Sequence, residues 1–166
     1  MAQYNDFEVR AYTWQEMHEL CKALAAQMQA IQLVNPVIVG IARGGFFPAL
    51  VLAHELGCRD LFTMSVRTTA TEDIRSKRSD PKIYGLNDLP VVDKNVLLVD
   101  DVTNTGTTLQ LARERLQDLG PKEIITICPV WDTVNELSDK PLTKCAADYF
   151  IDTVHAWARF PWEIAT

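Results

Sequence analysis

Two adjacent carboxylates, Asp100 and Asp101, stand between a continuous apolar run, Val96-Leu97-Leu98-Val99, and a Thr/Gly-rich segment, Thr103-Asn104-Thr105-Gly106-Thr107-Thr108. The apolar run predicts a strand covered on both faces. The residues from Thr108 to Leu119 predict a helix closed by Gly120 and Pro121, which leaves Asp100 to Thr107 as the turn between them. In open α/β sheets the ligand site lies beyond the carboxyl ends of the strands. The start of a helix there offers free backbone N–H groups and the positive end of its dipole, which together favour a phosphate. Gly106 lets the backbone approach the ligand, and the hydroxyls of Thr105, Thr107 and Thr108 add donors. The two carboxylates suit sugar hydroxyls or a Mg²⁺ ion. A ligand with a phosphate at one end and a diol nearby, such as ribose 5-phosphate, satisfies both halves. Asp, Thr and Asn also cap helices, but one residue suffices for a cap. The segment lacks the Gly-Lys-Thr of a P-loop and the G-x-G-x-x-G of a dinucleotide fold.

The elements that must position this segment alternate. Thr13-Trp14-Gln15-Glu16 reads as a capping box, followed by Met17, Leu20, Leu24 and Met28 as one buried helical stripe. Pro36 to Ile41 predicts a short buried strand, broken by Ala42-Arg43-Gly44-Gly45. Phe46 to Leu56 predicts a helix ending at Gly57. Leu61 to Val66, Ile124 to Val130 and Ala147 to Ile151 predict further strands. Arg67 to Gly85 is polar and charged, with Arg67, Arg75, Lys77, Arg78 and Lys82 and little apolar periodicity; a loop this long in a compact domain is functional or disordered. Strands alternating with helices imply an α/β fold, a mostly parallel twisted sheet with helices on both faces.

The 166 residues suit one domain, 1–166, and the net charge of −6 argues against a nucleic-acid partner. Cys21, Cys58, Cys128 and Cys145 are far apart in sequence, without C-x-x-C spacing, so neither a zinc site nor a disulfide framework is expected. Met1 to Arg10 is polar and acidic rather than a signal peptide, and no apolar run reaches membrane-spanning length. A cytoplasmic protein without membrane contact is expected. His18, His54 and His155 form no constellation.

An apolar strand, two acidic residues, an apolar residue, two variable residues and then Thr-Gly-x-Thr is similar to the phosphoribosyl-pyrophosphate motif of type I phosphoribosyltransferases. Ile38-Val-Gly-Ile-Ala-Arg43-Gly44-Gly45-Phe-Phe-Pro48 looks like that family's pyrophosphate loop, where an Arg side chain and the Gly44 N–H suit a pyrophosphate. From Tyr12 to about Glu163 the chain resembles the short xanthine-guanine-type purine enzymes, in its Tyr-Thr-Trp start and its Trp-x-x-x-Pro-Trp-Glu ending. The resemblance implies a type I phosphoribosyltransferase fold with a small hood, an aromatic tail at about 153–166, and a mobile loop at about 67–85. It implies a homo-oligomer that moves a 5-phosphoribosyl group from phosphoribosyl pyrophosphate to a nucleobase, a purine such as guanine, xanthine or hypoxanthine. Asp100 and Asp101 would hold the ribose hydroxyls and Mg²⁺, Asn104 to Thr108 the 5-phosphate, with Thr103 also binding substrate, and Arg43, Gly44 and Arg75 the pyrophosphate. Asn104 would stand at the catalytic position beside the base. Trp157 would stack on the purine, and the Ala158 backbone would touch its edge.

Three positions depart from that pattern. Asn104 stands where the 6-oxopurine enzymes carry an Asp that handles the proton at N7, and an amide cannot act as a general base. No Lys lies near Val130, where the family recognises the 6-oxo group. Thr68-Thr69 replaces the Ser-Tyr pair that opens the mobile loop. Two alternatives therefore stand beside the purine enzyme: a regulatory protein that binds phosphoribosyl pyrophosphate or a nucleotide with little catalysis, and a transferase for a non-purine base.

Overall fold

A computed structural model describes residues 8–67, 82–86, 88–135 and 140–163. The chain runs β1 (Val9–Ala11), α1 (Trp14–Ala30), β2 (Val37–Ala42), α2 (Phe46–Glu55), β3 (Leu61–Arg67) and β4 (Lys82–Tyr84). It continues through β5 (Asn95–Val99), β6 (Val102–Thr103), α3 (Thr107–Gln117), β7 (Glu123–Ile127), β8 (Val130–Asp132), β9 (Asp152–Val154) and β10 (Trp157–Arg159).

The central sheet has the order β4-β3-β2-β5-β7, parallel except for the edge strand β4. Its strands alternate cleanly between two cores, because successive side chains point to opposite faces. Val37, Val39, Ile41, Val96, Leu98 and Ile124 pack on Leu109, Ala112 and Leu116 of α3. Ile38, Leu97, Val99, Ile125 and Ile127 pack on Leu24, Ala25 and Met28 of α1 and on Ala49, Leu52 and Ala53 of α2. Helices therefore cover both faces, and the expected α/β class holds. The capping box forms as the sequence requires: Glu16 N–H donates to Thr13 Oγ1 at 3.1 Å and Thr13 N–H to Glu16 Oε2 at 2.7 Å.

Two small parallel sheets, β6-β8-β9 and β1-β10, make the hood above the strand ends. Tyr12, Met17, Val130, Ala158 and Phe160 form its core. An aromatic chain runs through it: Trp162 stacks on Phe160 with centroids 5.0 Å apart and also touches Phe47 and Trp14.

Several sequence-based boundaries move. The expected strand from Ile124 to Val130 is two strands in two different sheets. Pro129 separates them: it has no N–H for a ladder, and its carbonyl instead accepts from Asp152 N–H at 3.0 Å and Ile151 N–H at 3.3 Å. Ala147 to Ile151 is not a strand; it makes one parallel bridge, Tyr149 to Ile127, and the strand starts at Asp152. The turn after Asp100 contains β6, and α3 begins at Thr107. The ends of the expected loop at 67–85 are strand residues, with Arg67 paired to Lys82. Residues 68–81, among them Thr68, Thr69, Arg75, Lys77 and Arg78, lie outside the described residues. Among the described residues no helix is long and apolar enough to cross a membrane.

Candidate active site

The two segments singled out by sequence meet at the carboxyl ends of the neighbouring strands β2 and β5. A Cβ placed on Gly44 would lie 1.7 Å from Asp101 Oδ2, so the Asp101 carboxylate occupies the room that the missing side chain leaves. A Cβ on Gly45 would meet the carbonyl oxygens of Val99 at 2.5 Å and Ile41 at 2.7 Å. Both glycines are therefore required by close approach. The Ala42–Arg43 peptide is cis, and Arg43 is exposed beside this junction.

Asp100 and Asp101 are partly buried and held by the local backbone. Asp101 N–H donates to Asp100 Oδ1 at 3.0 Å, and Val102 N–H to Asp101 Oδ1 at 2.9 Å. Burial, then the neighbouring Asp101 charge, pushes the Asp100 carboxyl well above the usual carboxylate range. Burial likewise pushes Asp101 up to about 6, against the lowering effect of the Val102 N–H; the Glu163 charge adds to the rise. The two carboxyls act on one another, and Asp100 is the one held higher. No Lys or Arg is ion-paired with either among the described residues. An adjacent pair of hard carboxylate oxygens with no cation against it suits Mg²⁺, which takes one or two carboxylates and fills its octahedron with phosphate and water oxygens. The protein alone supplies no fuller cage: among the described residues no group of three or more His, Cys, Asp or Glu is arranged to hold a metal.

The phosphate half follows at once. Gly106 is the N-cap of α3, in the left-handed region at φ +82°, and a Cβ there would sit 1.9 Å from Ala146 Cβ. No side chain caps α3, so its first backbone N–H groups have no side-chain acceptor. Thr105 and Thr107 pair their hydroxyls at 3.1 Å; both residues and Thr108 are exposed, while Thr103 is buried.

Asn104 is fixed by contacts that sequence does not reveal. Its Nδ2 donates to the carbonyl oxygens of Asp132 at 3.0 Å and Val134 at 2.6 Å. Both partners accept only, so both amide hydrogens are committed and Oδ1 is the remaining functional atom. Trp157 lies on β10 with 47% of its surface exposed, whereas Ala158 is buried in the hood core. Exposed His155 bonds Thr133 Oγ1 through Nδ1 at 3.0 Å. Glu163, the last residue of the Pro-Trp-Glu ending, accepts from Phe160 N–H at 3.0 Å and lies near enough to Asp101 to act on its charge; its place in that ending was the available signal.

The phosphoribosyl transferase domain model matches residues 11–165, nearly the whole chain. The chain belongs to the phosphoribosyltransferase family. It is 30% identical over 155 residues to the xanthine-guanine phosphoribosyltransferase of Gluconobacter oxydans (strain 621H), covering 92% of this chain and 83% of that protein. It superposes on the crystal structure of a purine phosphoribosyltransferase from Pyrococcus horikoshii Ot3 with a TM-score of 0.78 and 31% identity, over 95% of this chain and 96% of the other. The Helicobacter pylori xanthine-guanine-hypoxanthine phosphoribosyltransferase shares the fold at a TM-score of 0.76 and 20% identity, over 95% of each chain. Membership makes the chain a pentosyltransferase-type protein and accounts for the meeting of its two loops.

Proposed function

We propose that this phosphoribosyltransferase moves the 5-phosphoribosyl group of phosphoribosyl pyrophosphate to a 6-oxopurine base, with release of pyrophosphate. The observation that carries this reading is the Asp101 carboxylate seated on Gly44. That contact joins a turn suited to pyrophosphate to a turn suited to ribose phosphate, so one donor molecule can engage both. The purine enzymes among its relatives support the choice of base. The whole chain, 1–166, acts as one domain, with the segment between β3 and β4 as a closing loop and 153–166 as part of the hood. A homo-oligomer in the cytoplasm, without nucleic-acid or membrane partners, completes the reading.

Each side chain then has a task. The N–H groups that open α3, with the hydroxyls of Thr105, Thr107 and Thr108, hold the 5-phosphate. Gly106 brings the backbone close, and Thr103 anchors the turn from below. Asp100 and Asp101 orient the ribose hydroxyls and offset the positive charge that grows at C1 as the bond to pyrophosphate lengthens. Arg43 and the Gly44 N–H take the departing pyrophosphate, and Arg75, outside the described residues, is assigned the same partner. Mg²⁺, when bound by Asp100 and Asp101, supplies charge neutralisation of the donor. Trp157 stacks on the base and the Ala158 backbone meets its edge.

Asn104 decides how the base nitrogen is prepared. With its amide hydrogens committed, Oδ1 accepts from an N7–H and so selects the tautomer whose N9 lone pair is free to attack. It removes no proton, so the N7 proton must leave to solvent. The same amide favours the second reading, a sensor that binds the donor and turns over little.

The test follows pyrophosphate release from phosphoribosyl pyrophosphate with Mg²⁺ against guanine, xanthine, hypoxanthine, adenine, uracil and orotate. Asp100→Asn with Asp101→Asn is the control. Release with a 6-oxopurine, falling at least about 100-fold in the control, is the expected result. Mg²⁺-dependent donor binding without release on any base would establish the sensor instead.

A further inference from the structure

Two of the four cysteines, 17 positions apart, meet directly beneath the phosphate turn. Cys128 follows β7 and is fully buried; Cys145 packs against it in the same core cluster. The backbone brings the following segment in: Cys128 N–H donates to Tyr149 O at 3.1 Å and Asp148 N–H to Thr126 O at 2.8 Å, which lays Asp148 and Tyr149 alongside the end of β7. The two thiols lie close enough to act on one another's protonation, and neither is in a disulfide. Cys145 is also reachable. It lines a cavity of about 410 Å³ between α3 and 144–148, whose wall includes Gln110, Arg113 and Lys144.

We propose that Cys145 is a redox modification site, with Cys128 as its resolving thiol, and that their disulfide weakens ligand binding at the turn above. The Cys128 thiol lowers the Cys145 thiol below its usual range, with help from the Ala147 and Ala146 N–H groups and against burial. Its thiolate, opening to the cavity that Lys144 and the Arg113–Asp148 ion pair also line, is the nucleophile. A small peroxide is the oxidant class that fits the cavity. Cys145 sulfur attacks one peroxide oxygen, the O–O bond breaks, and a sulfenic acid and one water form. Cys128 sulfur then displaces the sulfenic oxygen, the S–S bond forms, and a second water leaves with the thiol proton. Two thiols and one peroxide give one disulfide and two waters, with two electrons passing to oxygen.

The turn feels this bond at two points. The Thr103 N–H lies close enough to the Cys128 thiol to lower it. Ala146, next to Cys145, stands where Gly106 has no room for even a methyl group. Drawing the two sulfurs to about 2 Å pulls on both the start and the middle of the phosphate turn.

The test exposes the full-length protein to hydrogen peroxide, blocks remaining thiols and maps peptides without reduction. A Cys128–Cys145 linked peptide is expected, lost on adding dithiothreitol and absent from Cys145→Ser. Cys128→Ser should instead hold a sulfenic acid on Cys145 that dimedone traps. Peroxide that leaves both thiols free to alkylate, or that links another pair, overturns the proposal, and the wild-type map alone decides this if either variant fails to fold. The effect on binding rests on the proposed function, and its readout is separate: affinity for phosphoribosyl pyrophosphate should fall about tenfold on oxidation and return on reduction. A linked peptide with unchanged affinity in a protein that binds the donor overturns the coupling. A linked peptide in a protein that never binds the donor counts against the functional reading and leaves the modification site standing.

Discussion

Asp101 carries a conflict between stability and binding that can be measured. Its carboxyl is held up to about 6 by burial, against an ordinary value of 3.8. The folded protein thus keeps this proton more tightly than the unfolded chain. Stability then falls as pH rises from about 4 through about 6, and the penalty is complete above that window. Asp101→Asn removes the ionisation while its side-chain oxygen still accepts the Val102 N–H. Without metal, the variant should be more stable than the parent at pH 8 by on the order of 1–3 kcal/mol, and close to it at pH 4.5. Thermal unfolding in a chelator at the two pH values reads this directly; a variant less stable at pH 8 would refute the burial argument. The acidic pair was legible in sequence because both residues are adjacent. The clamp on Asn104 was not, because its partners are the main-chain carbonyls of Asp132 and Val134, 28 and 30 positions away, and carbonyls leave no signature in side-chain pattern.

The glycines of the Arg43-Gly44-Gly45 turn separate function from fold at the level of the element. The neighbour of a Cβ on Gly44 is the end of a side chain, which can swing away; the neighbours at Gly45 are carbonyl oxygens of β2 and β5, which cannot. Gly44→Ala should therefore keep melting within a few degrees of the parent yet weaken donor binding about 100-fold, since Asp101 is displaced. Gly45→Ala should lose on the order of 1–3 kcal/mol through overpacking. Denaturant unfolding beside calorimetric titration of the donor distinguishes the two, and equal losses of stability would show that the turn is only structural. The same contrast explains what was readable among the elements. The strands β2, β5 and β7 announce themselves by apolar runs, and α1 by its capping box. The hood strands β1, β8, β9 and β10 have three residues each, too few to show a period. Pro129 was present in sequence, but only the hydrogen bonds to its carbonyl reveal that the chain there leaves one sheet for another.

Across the whole molecule, the central sheet supplies the phosphate and carboxylate ends of the site, and the hood closes over it from both chain ends. Trp14, from near the start, and Trp162, from near the end, meet within one aromatic cluster, with centroids 5.8 Å apart. Trp162 also stacks against Phe160 and Phe47, so truncating it opens the hood. Trp157 stands on β10 with nearly half its surface open. If the hood recognises the base through Trp157 and is held shut through Trp162, the two substitutions must divide. Trp157→Ala should raise KM for the base about tenfold, with KM for phosphoribosyl pyrophosphate and the melting temperature little changed. Trp162→Ala should lose on the order of 2 kcal/mol of stability, as expected for a half-buried ring packed on the hood core, and impair both substrates together. Steady-state kinetics in each substrate, paired with thermal melts, measures this. Were Trp157→Ala to leave KM for the base unchanged, the base would have to be held by the turn around Asn104, and its Oδ1 would then carry base recognition alone.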